Sequence, residues 1–230
     1  MSIHDGHRQR MKARFLKEGL DHFSEYEALE LLLYYAIPRK DTNPIAHALI
    51  DHFGSLSMVL DAPVEELEKV PGISRNAATL LKLAPELGRY YQISRNKQMV
   101  ILQTLTDCGR YLLPFFFGLR NETVYALFLD AKCKVLDCRE VGEGSVNSAN
   151  VPIRRIVEMA LNANASSVVL AHNHPSGIAL PSDEDVDTTH RVAAALSTVG
   201  IALADHIVVA DDDFVSMVQT GHRFDDCVVI

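Results

Sequence analysis

Apolar residues in roughly the first hundred positions return at helical spacing, and beyond them they gather into short runs separated by turns. In SEYEALELLLYYAIPRK, Leu29, Leu32, Leu33 and Ala36 share one helix face, Ser24 and Glu27 form a capping box, and Pro38 ends the run. NPIAHALIDHF predicts a second helix with Asn43 as N-cap, Pro44 in the first position and Gly54 at its close. VEELEKVPGISRNAATLLKLAPELGRYY predicts two short helices joined by a tight turn at Pro71 and Gly72. Ser74 caps the second, and Pro85 should kink or interrupt it. The all-helical part is expected to end near Lys97.

From there the period changes. LTDCGRYLLPFFFGL predicts one more helix, and ETVYALFLDA and KVLDCREV predict two strands around a turn at Ala131 to Cys133. VPIRRIVEMALNAN is helical, with Ile153, Ile156, Val157, Ala160 and Leu161 on one side, and SSVVLAH is a buried strand. SDEDVDTTHRVAAALSTVG is a helix opened by Ser182 and closed by Gly200, and IALADHIVVA and FVSMVQ supply closing strands. Strands alternating with helices through short links predict an α/β sheet covered by helices. The chain is therefore expected to divide into an all-α domain, 1–98, and an α/β domain, 99–230.

Charge follows the same division. Up to Lys97 there are 13 basic and 13 acidic residues, so the remaining 9 basic and 17 acidic residues carry the whole net charge of -8. No stretch holds 18 uncharged apolar residues, and MSIHDGHRQRMKARF lacks the apolar run of a secretory signal, so a cytoplasmic protein without a membrane partner is expected. Cys108, Cys133, Cys138 and Cys227 show no paired spacing and are read as ordinary thiols of a reducing compartment.

AHNHPSGIALPSDED is the stretch that carries chemistry. It leaves a buried strand and turns through Pro-Ser-Gly into a helix N-terminus. Residues two apart on a strand share a face, so His172 and His174 can present both imidazoles to one point. Asp185, three residues after Ser182, lies in the first helical turn, where a carboxylate is favoured and can face the strand end. Two imidazoles and a carboxylate leave one position of a tetrahedral zinc ion open to water, as in hydrolytic sites.

HNHPSGIALPSDED reproduces the H-x-H-P and S-x-x-D signature of the JAMM (MPN-plus) metalloproteases. GHRQRMKARFL, YYAIPRKDTNPIA, VPGI, ALFLD, LAHNHPSG and DHIVV make nearly the whole chain resemble the RadC family. That resemblance implies a JAMM/MPN-type, cytidine-deaminase-like sheet behind a helix-hairpin-helix-like N-terminal domain. It also implies a zinc-dependent peptidase or isopeptidase acting on a peptide or protein. His172, His174 and Asp185 match the zinc ligands, and Ser182 matches the residue that helps hold the oxyanion. For the upstream catalytic glutamate the candidates are Glu140 and Glu143. Glu140 is preferred because its strand can neighbour the histidine-bearing one and it precedes a Gly-Ser pair. In the implied reaction Glu140 takes a proton from the attacking water and passes it to the departing amine. Asp205 and His206 of DHIVV are read as support for the site or as sheet packing.

Two other function classes stand beside this one. VPGIS resembles a helix-hairpin-helix that holds DNA phosphate, with HRQRMKARF as a second contact, but Ser74 stands where that motif has its second glycine and the neighbouring VEELEK is acidic. Weak DNA binding, with a DNA-repair association, is the expectation there. The other class is a scaffold whose metal only holds the fold. A nucleobase deaminase would need H-x-E and P-C-x-x-C, and neither occurs.

Overall fold

Ser24, Ser55 and Ser74 in the N-terminal part each open a helix by accepting a free N–H of its first turn. The computed structural model describes residues 3–95, 100–143 and 152–224, and Gly144, Ser145 and Cys227 lie outside them. Its first elements are α1 (Ile3–Glu18), α2 (Glu25–Leu33), α3 (Asn43–Phe53), α4 (Leu56–Asp61), α5 (Val64–Leu67) and α6 (Arg75–Arg95). The Ser24–Glu27 capping box is formed on α2. Leu29, Leu33, Leu49, Val59, Leu67 and Leu81 are fully buried in the core of this helical part.

Three local expectations change. Thr42, not Asn43, is the N-cap of α3, because the Asn43 side-chain amide donates instead to Glu30 Oε2 at 2.9 Å. α4 was unforeseen; its cap is the Ser55 hydroxyl, which accepts from the Met58 N–H at 3.3 Å. α6 runs through Pro85 as one helix of 21 residues. Proline removes a single ladder bond, and buried Ala77, Ala78 and Leu81 anchor the turns before it.

At the turn before α6, Gly72 has φ +98, and a Cβ there would lie 2.8 Å from Ile45 Cδ1, so the position requires glycine on both counts. Ser74 caps α6 by accepting from the Ala77 N–H at 3.4 Å. Two arginines of the basic run are committed internally. Arg8 donates to the Ile37 and Pro38 carbonyls at 2.8 Å and also to that of Lys40, while Arg14 pairs with Glu27 at 3.0 Å and donates to the His22 carbonyl.

The chain separates into two units, Met1–Gly88 and Arg89–Ile230, with the division inside α6, whereas the composition changes only after Lys97. The second unit continues with α7 (Leu105–Phe116), β1 (Thr123–Leu129), β2 (Val135–Glu143), α8 (Ile153–Asn162), β3 (Ser167–Asn173), α9 (Asp183–Ser197), β4 (Ala202–Ala210) and β5 (Asp213–Ser216). The sheet order is β2-β1-β3-β4-β5, with β3 and β4 parallel and the other pairs antiparallel. α9 is the crossover that the parallel pair needs. Helices cover both faces, so β1 and β3 are buried along their whole length and read as nearly unbroken apolar runs.

The faces are distinct. Val124, Ala126, Phe128, Leu170 and Val208 meet Ile156 and Ala160 of α8 and Val192 and Leu196 of α9. Tyr125, Leu127, Val169, Ala171 and Ile207 meet Cys108, Leu112, Phe115 and Phe116 of α7. Cys108, Cys133 and Cys138 are unpaired. No helix among the described residues is long and apolar enough to cross a membrane.

Candidate metal centre

The centre forms where β3 runs out against the start of α9. The His174 N–H donates to the Val209 carbonyl at 2.8 Å, which extends the β3–β4 ladder past Asn173 and keeps His174 on the face of His172. Gly177, at φ +81, then turns the chain and donates to the His174 carbonyl at 3.1 Å. The turn brings the Ile178 carbonyl to 3.0 Å from His174 Nδ1. A carbonyl only accepts, so Nδ1 carries the hydrogen and Nε2 is bare. His172 is fully buried, and its Nε2 is 2.9 Å from His174 Nε2.

Asp185 reaches the histidines through the cap of α9. The Ser182 N–H and hydroxyl each donate to Asp185 Oδ2 at 2.7 Å, and the Asp185 N–H donates back to the Ser182 oxygen at 3.2 Å. This capping box holds Oδ2 and leaves Oδ1 3.3 Å from His172 Nε2. Burial pushes the Asp185 carboxyl up, but the bond and charge of His172, with the Ser182 donors, outweigh it and hold it well below the usual carboxylate range. Asp185 is therefore an anion in a nearly closed site.

Glu122 is the fourth member. One ligating atom each from Glu122, His172, His174 and Asp185 lie within 4.8 Å of one another. β1 runs antiparallel to β3 with Val124 opposite His172, so Glu122, two residues earlier, falls on the histidine face beside His174. Asn173 fixes that end of β1: its Oδ1 accepts from the Thr123 N–H at 2.8 Å and its amide donates to the Asn121 carbonyl at 3.2 Å.

The donor set fits a divalent cation. His174 Nε2 and the oxygens of Asp185 and Glu122 are all acceptors, and acceptors this close repel one another unless positive charge lies among them. Mixed nitrogen and carboxylate ligands with a further position for solvent are what zinc takes in hydrolytic sites.

Glu140 is not brought to the centre. β1 lies between β2 and β3, and Glu140 pairs with Tyr125 and through it with Ala171, both of which pack on the α7 face. His172 sits in the neighbouring row with Val124 and Val208, on the opposite face. The expectation that the Glu140 strand neighbours the histidine strand is thus corrected. Glu143 is also outside the cluster, exposed and accepting from the Asn121 amide at 2.7 Å.

The Asp205-His206 pair faces two ways. His206 is fully buried on the site's side, with Nε2 2.8 Å from His172 Nδ1 and Nδ1 2.5 Å from Thr189 Oγ1. Asp205 pairs with Val169 on the α7 face, where its Oδ1 accepts from the His206 and Val218 N–H groups at 2.8 and 3.1 Å. Its Oδ2 has no hydrogen-bond partner, and burial lifts its pKa to about 6.

A helix-covered mixed sheet whose third strand ends in two imidazoles facing a helix-capping carboxylate defines the class: an α/β domain with a candidate metal centre. Residues 102–222 match the RadC-like JAB domain. The chain is 36% identical to UPF0758 protein FN0909 of Fusobacterium nucleatum, covering 94% of this chain and 96% of that one. It is 33% identical to UPF0758 protein SPO0054 of Ruegeria pomeroyi, covering 94% and 96%, and 34% identical to UPF0758 protein ABC2615 of Shouchella clausii, covering 93% of each. The chain belongs to the RadC family.

Proposed function

We propose that this protein is a zinc-dependent hydrolase of amide bonds, a peptidase or isopeptidase, with His172, His174 and Asp185 as ligands and Glu122 as the proton-transferring group. The observation that carries the proposal is the convergence of four ligating atoms within 4.8 Å. Zinc held there supplies Lewis acidity, which lets water ionise near neutral pH and polarises a carbonyl.

The protein's own groups divide the remaining work. His174 offers a bare Nε2 because its other nitrogen donates to Ile178. Asp185 stays ionised with Oδ2 held in the capping box and Oδ1 toward the histidines. Glu122, half-buried at the edge of the cluster, takes a proton from the attacking water and returns it to the departing amine. Ser182 acts through Asp185, since its single hydroxyl hydrogen is already donated to that carboxylate.

The test is elemental analysis of untagged protein beside cleavage of a peptide library by wild type, Glu122→Gln and Glu140→Gln. Glu122→Gln should keep its zinc and lose cleavage by at least about 100-fold, the scale of a general base. Glu140→Gln should cleave like wild type. Unimpaired cleavage by Glu122→Gln, or loss only with Glu140→Gln, would end the assignment.

A further inference from the structure

We infer that the exposed segment 178–180 is the substrate-binding edge of the metal centre: it takes an extended peptide as an added strand and selects large apolar side chains two residues apart. That the peptide is a substrate rests on the function proposed above; that the edge binds it does not.

The segment is held by the two ligands it joins. At one end the Gly177 N–H donates to the His174 carbonyl at 3.1 Å, and the Ile178 carbonyl lies 3.0 Å from His174 Nδ1. At the other end Ser182 caps α9 and donates to Asp185 Oδ2. Between them Pro181 biases Leu180 toward an extended backbone, and Ser182 itself is extended, with φ -85 and ψ 167. The chain therefore keeps its place beside the ligating atoms before any peptide arrives, which lowers the ordering cost of binding.

Its own polar groups are left over. Among the described residues, the N–H groups of Ile178, Ala179 and Leu180 meet no backbone acceptor. The Ile178 carbonyl turns toward His174, and in an extended chain the polar groups of successive residues point to opposite sides. The N–H and carbonyl of Ala179 therefore point away from the ring, along an open edge. Side chains alternate as well: Ile178 and Leu180 are 59% and 63% exposed, and Ala179 between them is half-buried. A single exposed apolar residue is ordinary on a surface, but here two share one face of an unpaired strand, beginning one imidazole away from the centre. A peptide residue that exchanges both bonds with Ala179 sets the side chains of its two neighbours beside Ile178 and Leu180. Main-chain bonds then give affinity, and the alternate side chains give selectivity.

The experiment uses the full-length chain with zinc present and two probes, acetyl-Gly-Leu-Gly-Leu-Gly-amide and the same peptide with serine in place of both leucines. Titration followed in 15N amide spectra should move the Ile178, Ala179 and Leu180 signals. The leucine peptide should bind about 10- to 100-fold tighter, the scale of burying two apolar side chains in part. The double variant Ile178→Ser, Leu180→Ser should bind both peptides alike and hold zinc as wild type does. Methylating the central glycine nitrogen of the leucine peptide removes the N–H that meets the Ala179 carbonyl and should weaken its binding to wild type at least about fivefold. That arm decides the matter if the double variant fails to fold.

Equal affinity of wild type for the two peptides would overturn the assignment of this edge. So would shifts that spare residues 178–180, or undiminished binding of the methylated peptide. Selective binding here without cleavage of any peptide would sink the hydrolase proposal and leave the edge standing. Cleavage of a peptide library with no preference for apolar residues two apart would do the reverse.

Discussion

Replacing Asp205 with Asn should stabilise the protein at neutral pH, against the usual sign for a substitution at a buried position. The carboxyl is fully buried on the α7 face of the sheet, and its Oδ2 has no partner. Burial is the dominant cause of its raised pKa; donors from Ser216, Val218 and His206 offset it only in part, and the result is about 6 against an ordinary 3.8. An unfolded chain releases this proton near pH 4, so between about pH 4 and 6 the folded state holds more protons than the unfolded one. Stability from this group is complete below the unfolded value and is lost as pH rises through the folded one. The gap of roughly two pKa units corresponds to about 3 kcal/mol. Asn keeps an oxygen for the His206 and Val218 N–H groups and has no proton to lose. Urea titrations of both proteins in chelator, across a pH series, give the stability difference with other titrations cancelled. That difference should grow in favour of Asn by about 1.4 kcal/mol between pH 5 and 7.5 and then level off. A difference independent of pH, or one that widens toward acid, would refute the argument.

Two further substitutions test the packing and the cap. Gly109→Ala places a Cβ 2.1 Å from Phe214 Cε2, so overpacking of about 1–3 kcal/mol should exceed the helix-propensity gain of about 1 kcal/mol; a Tm equal to or above wild type would contradict this. Ser182→Ala should cost about 1 kcal/mol of stability and weaken the proposed zinc binding by removing the hydroxyl donor to Asp185 Oδ2, while Ser182→Thr should preserve both; unchanged stability in the Ala variant would show that the hydroxyl's part in the capping box contributes nothing.

Much of the fold could be read from residue order because its signals are local. A capping serine, a glycine at positive φ and a change of apolar period act within a few residues, and the helices and strands of the α/β part fall where those marks stand. The sequence was less informative where a distant group competes. Asn43 has the composition of an N-cap, but Glu30, thirteen residues earlier, holds its amide, and Thr42 takes the N-cap position without a side-chain cap bond. Arg8 and Arg14 likewise sit in a run that suggests a contact with nucleic acid, yet the carbonyls of residues 37, 38 and 40 and the Glu27 carboxylate engage them. The contact between Thr189 and His206 carries no mark in the sequence because it joins α9 to β4 across the sheet face, and threonine inside a helix has no spacing signal.

The placement of the two glutamates shows which information was missing. H-x-H with a carboxylate at a helix start is a local pattern, so one strand end and the next helix suffice to bring three groups together. The fourth group depends on which strand lies beside the histidines and in what register. Choosing Glu140 assumed that β2 was the neighbour. The neighbour is β1, and because it runs antiparallel its start, not its end, meets the end of β3. Strand parity then selects the residue: with Val124 opposite His172, the site face takes residues 122, 124 and 126, and Glu122 is the acidic one at the mouth. On β2 the irregularity in register between Val124 and Tyr125 puts Glu140 in the row of Tyr125 and Ala171, on the α7 face, so no rotamer could carry its carboxylate through the sheet. A shift of one residue in the β1–β3 register would exchange the two faces, which is why Asn173, tying Thr123 and Asn121 to the interval between the histidines, is as much a part of the centre's construction as the ligands themselves.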